Sequence, residues 1–219
     1  MRSIGHNLMR GVGIAAAALL LPHAAFGQAC IGSPAFPGQF ALGGSLVTAD
    51  GMTGYGAEAR TNPAGPLAIT ANIGIIDVDG ADDDIFTAGA GMAWEISRDQ
   101  LSICPVAGVQ YSDFPTSFLG AGFEASSFAV PVGLAAGARL GAGTVQFIPS
   151  GELGLRWERF SYSASAGGVS ISESETETDL YLNAGATAVT GRFFGRAALE
   201  RIFHDDAENM FRFSLGVLF

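Results

Sequence analysis

"MFRFSLGVLF", Met210 to Phe219, changes character at nearly every step. Phe211, Phe213, Leu215, Val217 and Phe219 are large and apolar, with Arg212, Ser214 and Gly216 between most of them. A two-residue period predicts a strand with one oily face and one polar face. An arginine on the polar face means that the two sides meet different media.

The same period runs back through the chain to Gly38. Its apolar sets include Phe40/Leu42/Leu46, Tyr55/Ala57/Ala59, Leu67/Ile69/Ile73/Ile75, Phe86/Met92/Trp94 and Leu101/Ile103/Val109/Tyr111. Further on come Phe128/Val132/Leu134/Leu140, Val145/Phe147/Leu153/Leu155/Trp157, Leu180/Leu182 and Phe193/Leu199. With the terminal set these make about ten strands, eight if the first hairpin, whose alternation is least regular, is discounted. Mean hydropathy is positive, +0.33, yet no continuous apolar stretch of the mature part is long enough for a membrane helix. Apolar residues spread by alternation are what strands with one lipid-facing side require. Net charge is −10 and all 11 basic residues are arginine, so no basic patch exists to neutralise a nucleic-acid backbone.

Connection lengths carry independent information. After "ADGMTG", the stretches "NPAGP", "SRDQ", "LGAGT" and "VTGR" are short. Between them lie "DVDGADDD", "SDFPTSFLGAGFEA" (Ser112 to Ala125), "SASAGGVSISESETETD" (Ser163 to Asp179) and "HDDAEN", which read as longer polar loops. Short turns at one end and long loops at the other predict an all-β, antiparallel up-and-down transmembrane barrel with both termini on the short-turn, periplasmic side. Aromatics fall into two belts, as membrane interfaces select. Phe40, Trp94, Phe147, Phe193 and Phe219 lie toward the turns; Tyr111, Phe128, Trp157, Tyr181 and Phe211 lie toward the loops.

The opposite parity collects charge: Glu58, Arg60, Glu95, Arg139, Glu152, Arg156, Glu158, Arg196, Glu200 and Arg212. A midplane arginine facing hydrocarbon costs about 2–4 kcal/mol. Inside a narrow barrel the same groups can pair, so this set predicts a lumen closed by an Arg/Glu network, or at most a narrow polar pore for small solutes or ions. The remaining acidic excess sits in loops. Asp77, Asp79, Asp82, Asp83 and Asp84 offer clustered oxygen ligands for calcium without the full EF-hand spacing; a solvated loop accounts for them equally. No other cofactor is indicated.

Residues 1–29 read as a secretory signal peptide: Arg2 and Arg10 frame a basic start, "GVGIAAAALLL" is a short apolar core, and small residues follow. That predicts export through the Sec pathway, a periplasmic segment over 30–38 and the barrel over 39–219. In an oxidising compartment Cys30 and Cys104 are expected to be bridged. "GQAC" lacks the leucine that precedes a lipidated cysteine.

Taken together, the leader, the strand–turn rhythm and "FRFSLGVLF" resemble the small outer-membrane β-barrel proteins of Gram-negative bacteria, the group of the OmpA membrane domain, OmpX and the opacity-type porins. The resemblance implies outer-membrane lipid as surroundings. It also implies that Phe211, Phe213, Leu215, Val217 and Phe219 form the assembly signal read by the barrel-assembly machinery. OmpA's peptidoglycan-binding domain has no counterpart here. Omptin-type proteases are also ten-stranded, with aspartates and a histidine at the extracellular rim. Here Asp77, Asp79, His204, Asp205 and Asp206 would share that end, but "HDD" does not reproduce the omptin Asp-x-His pattern and omptins are much longer. No nucleophile elbow or serine triad appears. The expectation is a non-enzymatic outer-membrane barrel with a structural or surface-interaction role, its extracellular ligand unspecified.

One prediction concerns the cysteines. A mass map of the mature protein without reductant should return Cys30 and Cys104 in one linked peptide pair; two free thiols would remove the bridge.

Overall fold

The computed structural model describes residues 40–64, 66–80, 83–98, 101–115, 123–140, 144–166, 169–203 and 209–219. All of its regular structure is strand: β1 (Phe40–Ala49), β2 (Met52–Ala64), β3 (Leu67–Val78), β4 (Ile85–Trp94), β5 (Ile96–Arg98) and β6 (Leu101–Phe114). Then follow β7 (Phe123–Ala138), β8 (Val145–Ala166), β9 (Val169–Thr190), β10 (Phe193–Phe203) and β11 (Asn209–Leu218). Except for β4 and β5, sequence neighbours pair antiparallel, β4 pairs with β6, and β11 returns to β1, so the sheet closes on itself.

β4 and β5 are two parts of one stave. Both pair with β6 in one continuous register, interrupted only at Trp94 and Glu95. That register sets Trp94 opposite Pro105, which has no N–H to give the ladder. Glu95 N instead donates to Pro66 O at 2.8 Å. The barrel therefore has ten staves, as the alternation predicts. Carried around all ladders, the registers return to β1 displaced by about twelve residues, which tilts the strands roughly 40° from the axis.

The terminal stretch forms the closing strand. Thr48↔Phe211 through Ala41↔Leu218 make the ladder to β1. Beyond it Phe219 N donates to Phe40 O at 2.8 Å, and the two rings lie 6.1 Å apart. Its faces separate cleanly: Leu215 is 74 % exposed and its neighbour Ser214 1 %. The exterior is apolar all round, with Ile73, Met92, Val132, Leu153 and Phe213 among the outward residues.

Two expectations change. Ser163 to Asp179 is not a loop: β8 and β9 stay paired from Val145↔Thr190 up to Ala166↔Val169, a hairpin far longer than the rest. Its Ser/Thr and Glu alternate, so a strand period was present, but with no apolar face to announce it. β10 leaves β9 at Phe203↔Leu180, so Val169–Asp179 has no strand partner on that side among the described residues. Tyr181 is not a belt residue either; it points inward and is buried.

Tyr181 explains a pair of glycines. Gly133 and Gly154 face each other across β7 and β8. A Cβ on Gly154 would lie 2.3 Å from Val132 O and 2.7 Å from the Tyr181 ring. Phe194 covers Gly43 and Gly216 of the β1–β11 seam likewise, with a Gly216 Cβ 2.4 Å from its ring. Each aromatic occupies the space that side chains on the paired glycines would take. Replacing Gly154 or Gly216 by Val should cost about 1–3 kcal/mol of unfolding free energy in lipid, read by urea titration, because the ring must leave its place; an unchanged midpoint would contradict this.

Candidate functional site

The barrel interior is the region where chemistry collects, and it is layered along the axis. Toward the loop end, Met52, Ile76, Ile85, Phe114, Ala125 and Phe160 form one buried apolar cluster contributed by six adjacent staves. Tyr181, Ile202 and Met210 with Ala49 continue it around the remaining wall. Toward the turn end, Ala41, Ile148, Val189, Phe194 and Leu218 form a second cluster. Ala68, Ala93, Cys104, Val106 and Ala135 continue that one. Allowing for strand tilt, each pair of clusters makes an apolar collar inside one end of the barrel.

These residues were invisible to simple alternation, which assigns one face to each strand. The available signal was the adjacent apolar pair at strand ends: Ile75–Ile76, Ile85–Phe86, Phe147–Ile148, Phe193–Phe194 and Val217–Leu218. One member of each pair faces out and the other faces in.

Between the collars lies the charged layer. Arg60, Glu152, Arg156, Glu158, Arg196, Glu200 and Arg212 are buried and Glu58 is half-buried. Arg156 Nη2 sits 2.6 Å from Glu158 Oε2, two residues along the inward face of β8. Arg196 Nη2 donates to Asn183 Oδ1 at 3.2 Å, and Asn183 Nδ2 donates to Glu200 Oε2 at 3.3 Å. The Tyr181 hydroxyl donates to Glu152. Asn183 thus bridges Arg196 and Glu200, and Tyr181 holds Glu152, roles the charge list alone does not disclose. Glu95 and Arg139 lie apart, toward the turn end; Glu95 accepts from Ser102 Oγ at 2.6 Å. A space of about 10 Å³ beside Ala41, Glu58, Arg60 and Phe194 is of the size that holds a single water.

Other candidate residues scatter. Cys104 is buried on the inward face of β6, and Cys30 lies outside the described residues, as do the leader and the segment to residue 38. Asp79, Asp83 and Asp84 are exposed, as is Asp77 at the end of β3, while Asp82 falls outside. Among the described residues no group of three or more His, Cys, Asp or Glu is placed to hold a metal. His204, Asp205 and Asp206 lie outside the described residues. On the β8–β9 hairpin above the barrel, Tyr162 donates to Glu173. That bond, followed by desolvation and by the charges of Glu173 and Glu175, holds its phenol above the ordinary value.

A closed, even-stranded antiparallel barrel, oily outside and ionic inside, is the architecture of the outer-membrane β-barrels. No family model matches the chain, and no curated protein matches it. Among solved structures it is similar to the N-terminal β-barrel domain of Pseudomonas aeruginosa OprF, at 13 % identity over 82 % of this chain and 98 % of that one, TM-score 0.38. It is also similar to Ail, the attachment invasion locus protein of Yersinia pestis, at 15 % identity over 81 % and 93 %, TM-score 0.42. A third similarity is to the outer-membrane protease OmpT from Escherichia coli, at 8 % identity over 82 % and 91 %, TM-score 0.44.

The ionic layer makes its own prediction. Arg156→Ala should lower unfolding free energy by about 3–5 kcal/mol, since it strands Glu158 in the interior without its partner. Arg156→Met combined with Glu158→Leu should recover most of that loss. Equal damage from the single and the double variant would show that the pair does not act as a unit.

Proposed function

We propose that the chain is an integral outer-membrane barrel whose lumen is sealed, with a structural and surface-presenting role and no catalytic activity. The observation that carries this reading is the pair of apolar collars flanking the ionic layer. An ion entering from either end would have to pass a largely apolar ring of side chains, where water is unfavourable and desolvation is costly. Beyond it, fixed charges of both signs are already engaged with one another or with Tyr181 and Asn183. The oily exterior takes outer-membrane lipid. The β11 strand, with Phe219 tied to Phe40, is the segment that the barrel-assembly machinery would read. The β6–β9 wall is what the protein would present outside.

A narrow channel is the competing reading, favoured by the hydrophilic middle of the lumen. Planar-bilayer recording separates the two. The wild-type barrel should give no steady openings, whereas Phe114→Ala with Phe160→Ala, which thins the loop-end collar, should give small, frequent ones. Steady wild-type conductance would overturn the sealed lumen.

A further inference from the structure

Cys104 faces the lumen near the turn end of β6 and is 0 % exposed. Around it stand Ala68, Ala93, Val106 and Ala135, none of them more than 6 % exposed. Side chains this short reach only a little way into a lumen whose radius is about 10 Å. The opposite wall of the same end carries larger groups, Ile148, Phe194 and Leu218. The wall from β3 to β7 is thus the shallow side of the turn-end ring, with room for a further stretch of chain.

Two facts point to which stretch. Cys104 is disulfide-bonded, and Cys30 is the only other cysteine of the chain. Nine residues, 31–39, join Cys30 to Phe40 at the start of β1. β1 and β6 stand four staves apart one way round the ring and six the other. That is a separation of about 19 Å across the lumen. Nine extended residues reach about 30 Å, so the link can be made. It can be made only by entering the mouth, because Cys104 points inward.

We propose that residues 31–39 form a strap across the turn-end mouth, latched by a Cys30–Cys104 bond, and that reduction of this bond opens the mouth. The latch rests on the sealed-lumen reading, to which it adds a closure that can be released. Pro34 and Pro37 oppose a helix, which would shorten the reach. Ile31, Ala35 and Phe36 supply apolar side chains for the alanine wall. Release is a two-electron step. A dithiol gives two electrons and two protons, the Sγ–Sγ bond becomes two thiols, and the reductant leaves as its own disulfide.

The test uses the mature protein reconstituted in lipid, with heat-modifiable gel mobility as the check that each variant forms the barrel. The oxidised monomer should yield the linked Cys30–Cys104 peptide. Deleting residues 31–38 should leave both thiols free in the monomer, and an equal length of Gly/Ser in their place should restore the bond. Phe114→Ala with Phe160→Ala supplies a current to measure. Dithiothreitol should raise that conductance roughly twofold or more, since the strap no longer occupies the mouth. Cys30→Ser in the same background should carry the raised value and ignore reductant. Two free thiols in the oxidised monomer, a linked peptide in the deleted chain, or equal conductance before and after reduction, zero included, would overturn the proposal. Steady wild-type openings that reductant enlarges would defeat the sealed lumen and leave the latch standing.

Discussion

Backbone pairing is the constraint on which everything else depends. In hydrocarbon an unpaired N–H or C=O has no water to turn to, and each one costs several kcal/mol. A sheet meets that demand only by closing on itself. The ladder between β1 and β11, with the bond from Phe219 N to Phe40 O beyond it, is what turns a ribbon into a barrel. Where the ladder breaks at Trp94 and Glu95, beside Pro105, the Glu95 N–H is met by Pro66 O on the neighbouring stave.

Closure then dictates the rest of the architecture. A ring of ten tilted strands encloses a space into which every inward side chain points. Near the ends it is filled by apolar residues that give up alternation. In the middle it is filled by arginines and glutamates, with Asn183 bridging Arg196 and Glu200 and Tyr181 donating to Glu152. Where paired glycines leave a side chain's space empty, an aromatic from a neighbouring strand covers both, as Tyr181 and Phe194 do. Interior charge and interior ring are two answers to one packing problem.

Much of this was legible in the sequence, because lipid and lumen demand opposite chemistry at successive residues. The parity that separates Leu215 from Arg212 could be read for every stave, and with it the short-turn and long-loop ends. Legibility failed where the contrast vanished. At strand ends both faces are apolar, so the collars merged with the lipid-facing set. In Ser163 to Asp179 both faces are polar, so a paired hairpin read as a loop. Tyr181 was misassigned because a tyrosine suits a belt and a lumen equally, and only its parity, opposite to that of Leu180 and Leu182, told them apart.

The upper stretch of β9 has a consequence of its own. From Val169 to Asp179 the strand has no partner on its β10 side among the described residues, the arrangement by which sheets add foreign strands. Glu173, Glu175, Glu177 and Asp179 stand at every second position along it. A second copy docking edge to edge would bring an identical row of carboxylates against the first. That like-charge contact opposes edge-to-edge association of two copies.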